Sequence, residues 1–593
     1  MTAMQSPSAE RPLRDRLRPL RAWDRPSRWN AAMVVLPALA VAVLGWRHRA
    51  LTDDGTIFLR TVRQILAGHG PVVNHGERVE ANTSTLWQWL LVVLGPLIPG
   101  EPGFTAVVAG LVCTTAGVLV ALDATRRLYA GVVPRALMPA GVLVLLAVPV
   151  YWDFATGGLD SGLGTLWLAG CWWFLVRSYV SPEARGQAGH AVWFGLGVLV
   201  RPEFALVTVV FLAASWALTR PGPRRTAGGL AAAAALPVGY EIFRAGYYGL
   251  LVPLPALTKE AGDSETGRGL RYAWDFAEPV ALYVPAALFV ALLAVWAFRS
   301  RPAPRRLLVV LAPVAAALIL TCYLVRVGGD YMHGRMMLPV MFLALLPGLL
   351  LPASARVTAV AAATAVWGVA VVGPWHPAAY HDTDRSLTVR VRDSDIRLTG
   401  VANPDRVGEW TAAFPELRSA VAAGLAADRP VLVRLSPDGG AASLLPLAPV
   451  HASGRVAVPG GYLGVTGELV PLDEYIVELW GLANTIGAHL DYAPGAAKKW
   501  PGHRKFIDDV WLAALELHPS VTHLPDNPAV TPESLAAARH ALSCGDVREL
   551  LDSVRKPLTV ARFVDNLIGA YERTRLRIPR DPFAAERRFC GTP

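Results

Sequence analysis

The chain has 593 residues, 53% of them hydrophobic and only 17% charged, with a mean hydropathy of +0.37. A soluble domain is about one-quarter charged, so this shortfall excludes an ordinary globular protein and makes lipid the solvent for much of the chain. The net charge of +10 comes from arginines in short segments between apolar runs. No single basic face gathers them, which excludes nucleic acid as the partner and fits the positive-inside rule.

Residues 1–28 are polar and arginine-rich from Arg11 to Arg28, and no small-residue cleavage site follows the next apolar run. They read as a cytoplasmic basic tail ahead of an uncleaved helix. Apolar runs suited to about 30 Å of hydrocarbon then recur at 29–46, 104–122, 134–150, 161–177, 188–200, 203–218, 226–240, 279–298, 306–325, 336–351 and 356–373. These predict about eleven transmembrane helices over 29–373, several of them short. With the N-terminus inside, the loops at 123–133, 178–187, 220–225, 299–306 and 352–355 face the cytoplasm, and most are arginine-rich. Segment 85–99 is read as a juxtamembrane helix along the outer surface, because crossing there would place TRRLY outside and invert every later loop. An odd number of spans leaves residues 374–593 outside, as a strand-rich domain with its own core and two helical stretches near its end. Its strands are read in PVLVRL, RVAVPGGYLGV and EYIVELWG, and its cysteines, Cys544 and Cys590, would pair in an oxidising compartment.

The outer segments carry the chemistry. Asp53 and Asp54 follow the first span; by themselves they could simply cap the next helix. The same loop adds Arg60, Arg63, Glu77, Arg78, Glu80 and Asn82, more polarity than a connector needs. DFATGGLDSGL places Asp160 at the mouth of the fourth span, and RPEF places Arg201 and Glu203 at a break between two short spans, where they could be a structural ion pair. EIFRAGYYGLLVPLPALTKE supplies Arg244, Tyr247, Tyr248 and Lys259; VRVGGDYMHGR supplies Asp330, His333 and Arg335. Each fragment has a bland alternative, an aromatic belt or an interfacial histidine among them. Their convergence on one membrane face, opposite a face whose charges are mainly arginine, points to a site.

That site suits transfer of a sugar from a prenyl phosphate. Cations stabilise the leaving phosphate, a carboxylate stabilises an oxocarbenium-like transition state, and the acceptor hydroxyl needs a base. No Rossmann fingerprint or P-loop supports a nucleotide-sugar donor or ATP. In the tail, PGHRKFIDDVWL offers His503, Lys505 and Trp511 as acceptor-binding candidates, with Trp511 as a core residue the alternative.

DDGTIFLRTVRQILAGHGPVVNHGERVEANTST, DFATGGLDSGL, VRPE, FRAGYYGLLVP, GGDYMHGR and SVRKPLTVARFVDNLIGAYERTRLRI closely resemble the terminal β-(1→2)-arabinofuranosyltransferases of actinobacterial cell-wall synthesis. The similarity runs from about residue 30 to Cys590. It implies a GT-C membrane fold with a C-terminal extracytoplasmic carbohydrate-binding-like domain. It also implies decaprenyl-phospho-arabinofuranose as donor and the non-reducing ends of arabinan, in arabinogalactan or lipoarabinomannan, as acceptor. The key Asp of the family's first outer loop maps to Asp53–Asp54, and Asp160 fits a second acidic position. Lys259, His333, Arg335 and Arg244 are the expected phosphate ligands. Glu80, Asn82, Arg201, Glu203, Tyr247, Tyr248 and Asp330 are expected to bind substrate, together with His503, Lys505 and Trp511. No metal or other cofactor is assigned, and a monomer in plasma-membrane lipid is expected. In that family donor and product are both β-linked, so configuration is retained. Retention requires either two displacements, with Asp53 or Asp54 as nucleophile, or front-face attack assisted by the phosphate. The rival readings are a polyprenyl-phospho-mannose-dependent GT-C mannosyltransferase, a transporter of lipid-linked sugars and a polysaccharide-binding scaffold. A transporter would show midplane polar residues and repeat symmetry, and neither is visible.

Overall fold

The computed structural model describes residues 27–130, 136–181, 187–260, 264–373, 387–435, 442–449, 454–493, 495, 500–524 and 526–591. Most of the basic tail and the stretch 374–386 lie outside them. Among the described residues, six helices are long and apolar enough to cross a membrane: Arg28–Arg47, Pro102–Ala130, Pro223–Tyr248, Tyr283–Ser300, Pro304–Arg326 and Ala355–Val372. Their outward faces stay apolar, as at Leu230, Leu236, Val290, Phe298, Leu318 and Val366, all exposed. Only lipid makes such a surface tolerable. The chain is a polytopic membrane protein. Ser161–Val180 adds another 20-residue helix.

Three of the expected spans are not continuous helices; 188–200 is split at Leu196 into Gln187–Gly195 and Gly197–Val200. The described part of 134–150 forms strand β1 (Leu137–Pro139) and the short helices Gly141–Ala147 and Pro149–Asp153. Segment 336–351 forms helix Met337–Leu345, a 3-10 turn and the start of strand β2 (Leu350–Pro352). Proline explains the break in 134–150, because Pro139 and Pro149 cannot donate into a helix interior. The two strands pair antiparallel, and the Ala140 amide donates to the Leu349 carbonyl at 3.1 Å. Irregular backbone is thus hydrogen-bonded inside protein, as membrane depth demands. Helix Thr85–Leu94 has ten residues. At 1.5 Å per residue it is about 15 Å long, half the hydrocarbon thickness.

The tail is α/β rather than strand-rich. Its sheet has the order β4-β3-β5-β6, formed by Ser443–Pro446, Val431–Arg434, Val456–Gly460 and Tyr475–Glu478. Strands β3, β5 and β6 run parallel; β4 is antiparallel to β3. Parallel pairing needs crossovers, and helix Leu463–Leu469 supplies the one from β5 to β6. GYLGV, expected to continue a strand, begins that helix. The tail's apolar core is not closed by the tail alone: Ile57, Val73, Val79, Leu250, Leu254 and Leu257, from two segments ahead of the tail, pack into it. Cys544 and Cys590 form a disulfide, S–S 2.13 Å, which ties the terminal helix Pro582–Cys590 to Pro532–Leu542.

Candidate active site

Asp53 and Asp54 open the first-loop helix Asp53–Leu66, where carboxylates favour the N-terminal end of the helix dipole. Thr52 caps the helix by accepting from the Gly55 amide at 3.0 Å, and its hydroxyl donates to the Gly157 carbonyl at 2.9 Å. A Cβ on Gly55 would lie 2.6 Å from that carbonyl, so only glycine lets the helix start press against the turn before Asp160. The segments bearing Asp53–Asp54 and Asp160 therefore meet at the acids.

Asp54 accepts a hydrogen bond from the Tyr331 hydroxyl at 2.9 Å and faces Arg335 at 3.5 Å. Arg335 also donates to buried Asp330 at 2.7 Å. Lys259 stands beside Asp330 and Asp54, and burial holds its ammonium below the usual lysine range. Asp330 is held below the usual carboxylate range by Arg335 and Lys259, against the opposing effect of burial. On the other side of Arg335, Asp160 contacts Arg201 at 3.3 Å, and Arg201 pairs with Glu203 at 2.5 Å. A cavity lies between, walled by Arg201 and Arg335 and by Tyr151, Phe154, Phe204 and Leu338. Thr114, Ser161 and Thr165 also line it, and its two guanidinium groups make it a place for an anion.

Asp53 faces the tail. The Val465 amide, in the first turn of the crossover helix, donates to its Oδ1 at 2.8 Å. A Cβ on Gly464 would lie 2.1 Å from the Asp53 carbonyl oxygen, so the two helices touch through bare backbone. Burial, reinforced by Asp54, pushes the Asp53 pKa from 3.8 up to about 7, although the tail amides oppose the shift. A third acid joins from the helix Val391–Thr399: Asp395 is buried, and its Oδ2 has no hydrogen-bond partner among the described residues. Burial and the neighbouring Asp53 and Asp54 push its pKa well up.

Residues 455–587 match the family described as AftB family C-terminal domain. A terminal β-(1→2)-arabinofuranosyltransferase of Mycobacterium tuberculosis is 35% identical, covering 92% of this chain and 96% of that protein. One of Corynebacterium glutamicum is 32% identical, covering 93% and 86%. The chain belongs to the terminal β-(1→2)-arabinofuranosyltransferase family. No solved structure matches it.

The structure gathers only part of the expected set around the acids of this arabinofuranosyltransferase. Asp53, Asp54, Asp160, Arg201, Glu203, Lys259, Asp330 and Arg335 form the network above. His333 turns to Asp275, 3.0 Å away, beside Thr388. The remaining phosphate candidate, Arg244, is engaged elsewhere: it pairs with buried Glu80 at 2.7 Å and with Glu241 at 2.6 Å, while Tyr240 also donates to Glu80. These bonds make Arg244 a brace for the helix Pro223–Tyr248, away from the acids. Asn82 donates to Gln88 at 2.8 Å. Tyr248 is buried and donates to the Pro71 carbonyl, and Tyr247 stacks on Phe243. Both tyrosines pack the first loop. Trp511 is fully buried and donates to the Arg580 carbonyl, so it is core. Lys505 is fully buried and pairs with Glu260. His503 lies near Asp54, with Lys259 and Asp330 also close.

The surplus polarity of the first loop has a structural explanation. Arg60 is buried and donates to the carbonyls of Val73, Gly467, Val470, Pro471 and Glu474. Arg63 pairs with Glu468 at 3.1 Å, Asn74 exchanges two hydrogen bonds with Ile476, and Arg78 reaches the carbonyls of Ser553 and Lys556. These groups clamp the acid-bearing loop to the tail. Tyr331 and Asp395 were not singled out from the sequence. Tyr331 had a signal, lying beside Asp330 in GGDYMHGR; Asp395 had none.

Proposed function

We propose that the protein transfers arabinofuranose from decaprenyl-phospho-arabinofuranose to the non-reducing ends of arabinan, on the outer face of the plasma membrane. The residues named above would do this in a GT-C fold with an extracytoplasmic tail. The observation that carries the chemistry is the division between two adjacent carboxylates. Asp54 is held by a phenol and a guanidinium; Asp53 is buried against backbone amides with a pKa of about 7. Two carboxyl groups in such different surroundings take different roles. Asp53 accepts the proton of the attacking sugar hydroxyl, because its pKa lies near working pH. Asp54 stays beside Arg335 and offers negative charge to the oxocarbenium-like centre. The phosphate departs toward Arg335, Arg201 and Lys259, with the polyprenyl tail along Phe154, Phe204 and Leu338 and into lipid. In a double displacement Asp54 is the nucleophile and Asp53 takes the proton of the acceptor hydroxyl in the second step; in front-face attack the departing phosphate shares that proton with Asp53.

The basic tail and short arginine-rich loops support a cytoplasmic N-terminus and about eleven crossings, counting the broken segments as spans. Purified protein, synthetic decaprenyl-phospho-arabinofuranose and an oligo-arabinofuranoside provide the test. Transfer from this donor, and none from polyprenyl-phospho-mannose, is expected. Preference for the mannosyl donor would sink the reading.

A further inference from the structure

A line of rings leads away from the acids. Tyr331, which donates to Asp54, meets the His503 ring edge-on with centroids 4.8 Å apart. His503 in turn meets Trp480 at 5.0 Å and Trp500 at 6.1 Å, with interplanar angles of 65° and 86°. Trp480 and Trp500 stand at the outer end, and Trp500 is 41% exposed.

The backbone is built to hold these rings. Trp480 follows β6, at the carboxyl edge of the parallel strands, where α/β sheets take their ligands. Buried Glu478 accepts from the amides of Trp480 (2.5 Å) and Ala483 (3.0 Å), which folds the loop after β6 into a fixed turn. The Gly481 carbonyl in that turn accepts from Thr258, next to Lys259. Gly502, at φ +86°, brings the loop carrying Trp500 and His503 onto the Lys259 side chain, and a Cβ there would lie 3.2 Å from its Cε. Only a residue that tolerates positive φ permits that approach. Nδ1 of His503 is buried and has no partner at good hydrogen-bond geometry among the described residues, the Pro501 carbonyl being the backbone group nearest to bonding the ring.

We infer that Trp480, Trp500 and His503 form the acceptor subsite, which stacks and orients the terminal furanose rings of a neutral glycan chain with its end hydroxyl at Asp53–Asp54. This deepens the arabinosyl-transfer reading and rests on it. The chemistry identifies the occupant. The rings give apolar walls, and burial, the largest effect, holds the His503 imidazole below its ordinary pKa. Sugar C–H faces stack on such walls, and a sugar hydroxyl can satisfy Nδ1. The formal charges, Asp54 and Lys259, lie at the inner end, where the reaction takes place.

The test compares the full-length wild type with Trp500→Ala, Trp480→Ala and Trp500→Phe. Each is assayed with decaprenyl-phospho-arabinofuranose and with mono-, tri- and hexa-arabinofuranoside acceptors. Each Ala variant should raise KM for the longer acceptors about tenfold, equivalent to one lost stacking contact, leave the donor KM within about twofold, and flatten the preference for long acceptors. Trp500→Phe should restore most of it. Acceptor KM within about twofold of wild type in both Ala variants would overturn the subsite. In that case, loss of quenching by brominated lipids in the variants would assign the rings to the bilayer interface. Failure of the wild type itself to use the arabinosyl donor is a separate result, and it would overturn the functional reading on which the subsite rests.

Discussion

Asp53→Asn separates the role of Asp53 from its place in the fold. The Asp53 pKa rises from 3.8 to about 7. Three pKa units correspond to about 4 kcal/mol by which the folded protein disfavours the ionised form. Because the folded pKa is raised, the native state binds more protons than the unfolded chain between pH 3.8 and about 7. Stability therefore falls across that window and levels off above it. The amide of Asn keeps an oxygen for the Val465 N–H and has no charge to bury. The variant should lose at least about a hundredfold in turnover. Its thermal stability relative to wild type should increase from pH 4.5 to pH 8, with about 4 kcal/mol as the upper bound. Transfer rates and thermal unfolding in one detergent, measured across that range, read both effects. Wild-type kcat/KM should rise with pH through about 7 as Asp53 gives up its proton. A variant with near-normal turnover, or with a stability difference flat in pH, would refute the reasoning.

Asp54→Asn should also cost about a hundredfold or more, and Tyr331→Phe, which removes one hydrogen bond to Asp54, about five- to tenfold in kcat. Arg335→Ala should weaken donor binding at least about tenfold by titration with a donor analogue, whereas Arg244→Gln should leave donor affinity alone and lower thermal stability. Reducing the Cys544–Cys590 bond, whose sequence separation is 46 residues, should destabilise the tail by about 4 kcal/mol, read as a loss of thermal stability under reductant. A cysteine placed at position 127 should stay unlabelled by impermeant reagents in intact cells and react once the membrane is opened.

Local chemistry was legible in the sequence wherever it acts locally. Apolar length marked Arg28–Arg47 and Pro304–Arg326, and the adjacency of Asp53 and Asp54 after a span marked the site. Composition could not show that 134–150 is broken, because its leucines and valines suit a helix until the partner strand Leu350–Pro352 takes up the freed backbone groups. Arg60 and Arg78 read only as surplus polarity in the first loop, because their carbonyl partners lie more than 400 residues away in the tail. Lys505 and Trp511 sat in a promising motif, but burial and long-range partners decide their roles. Asp395 in RVRDSDIRLTG looks like one more charge on a solvated helix, and only the docking of that helix over Asp53 makes it unusual.

The most direct measurement is linkage analysis of the product made by purified protein from decaprenyl-phospho-arabinofuranose and a linear oligo-arabinofuranoside. Wild type should add a single arabinofuranose at the non-reducing end in β-(1→2) linkage, and Asp53→Asn and Asp54→Asn should yield little or none. A product with another linkage, or full yield from either Asn variant, would contradict the account.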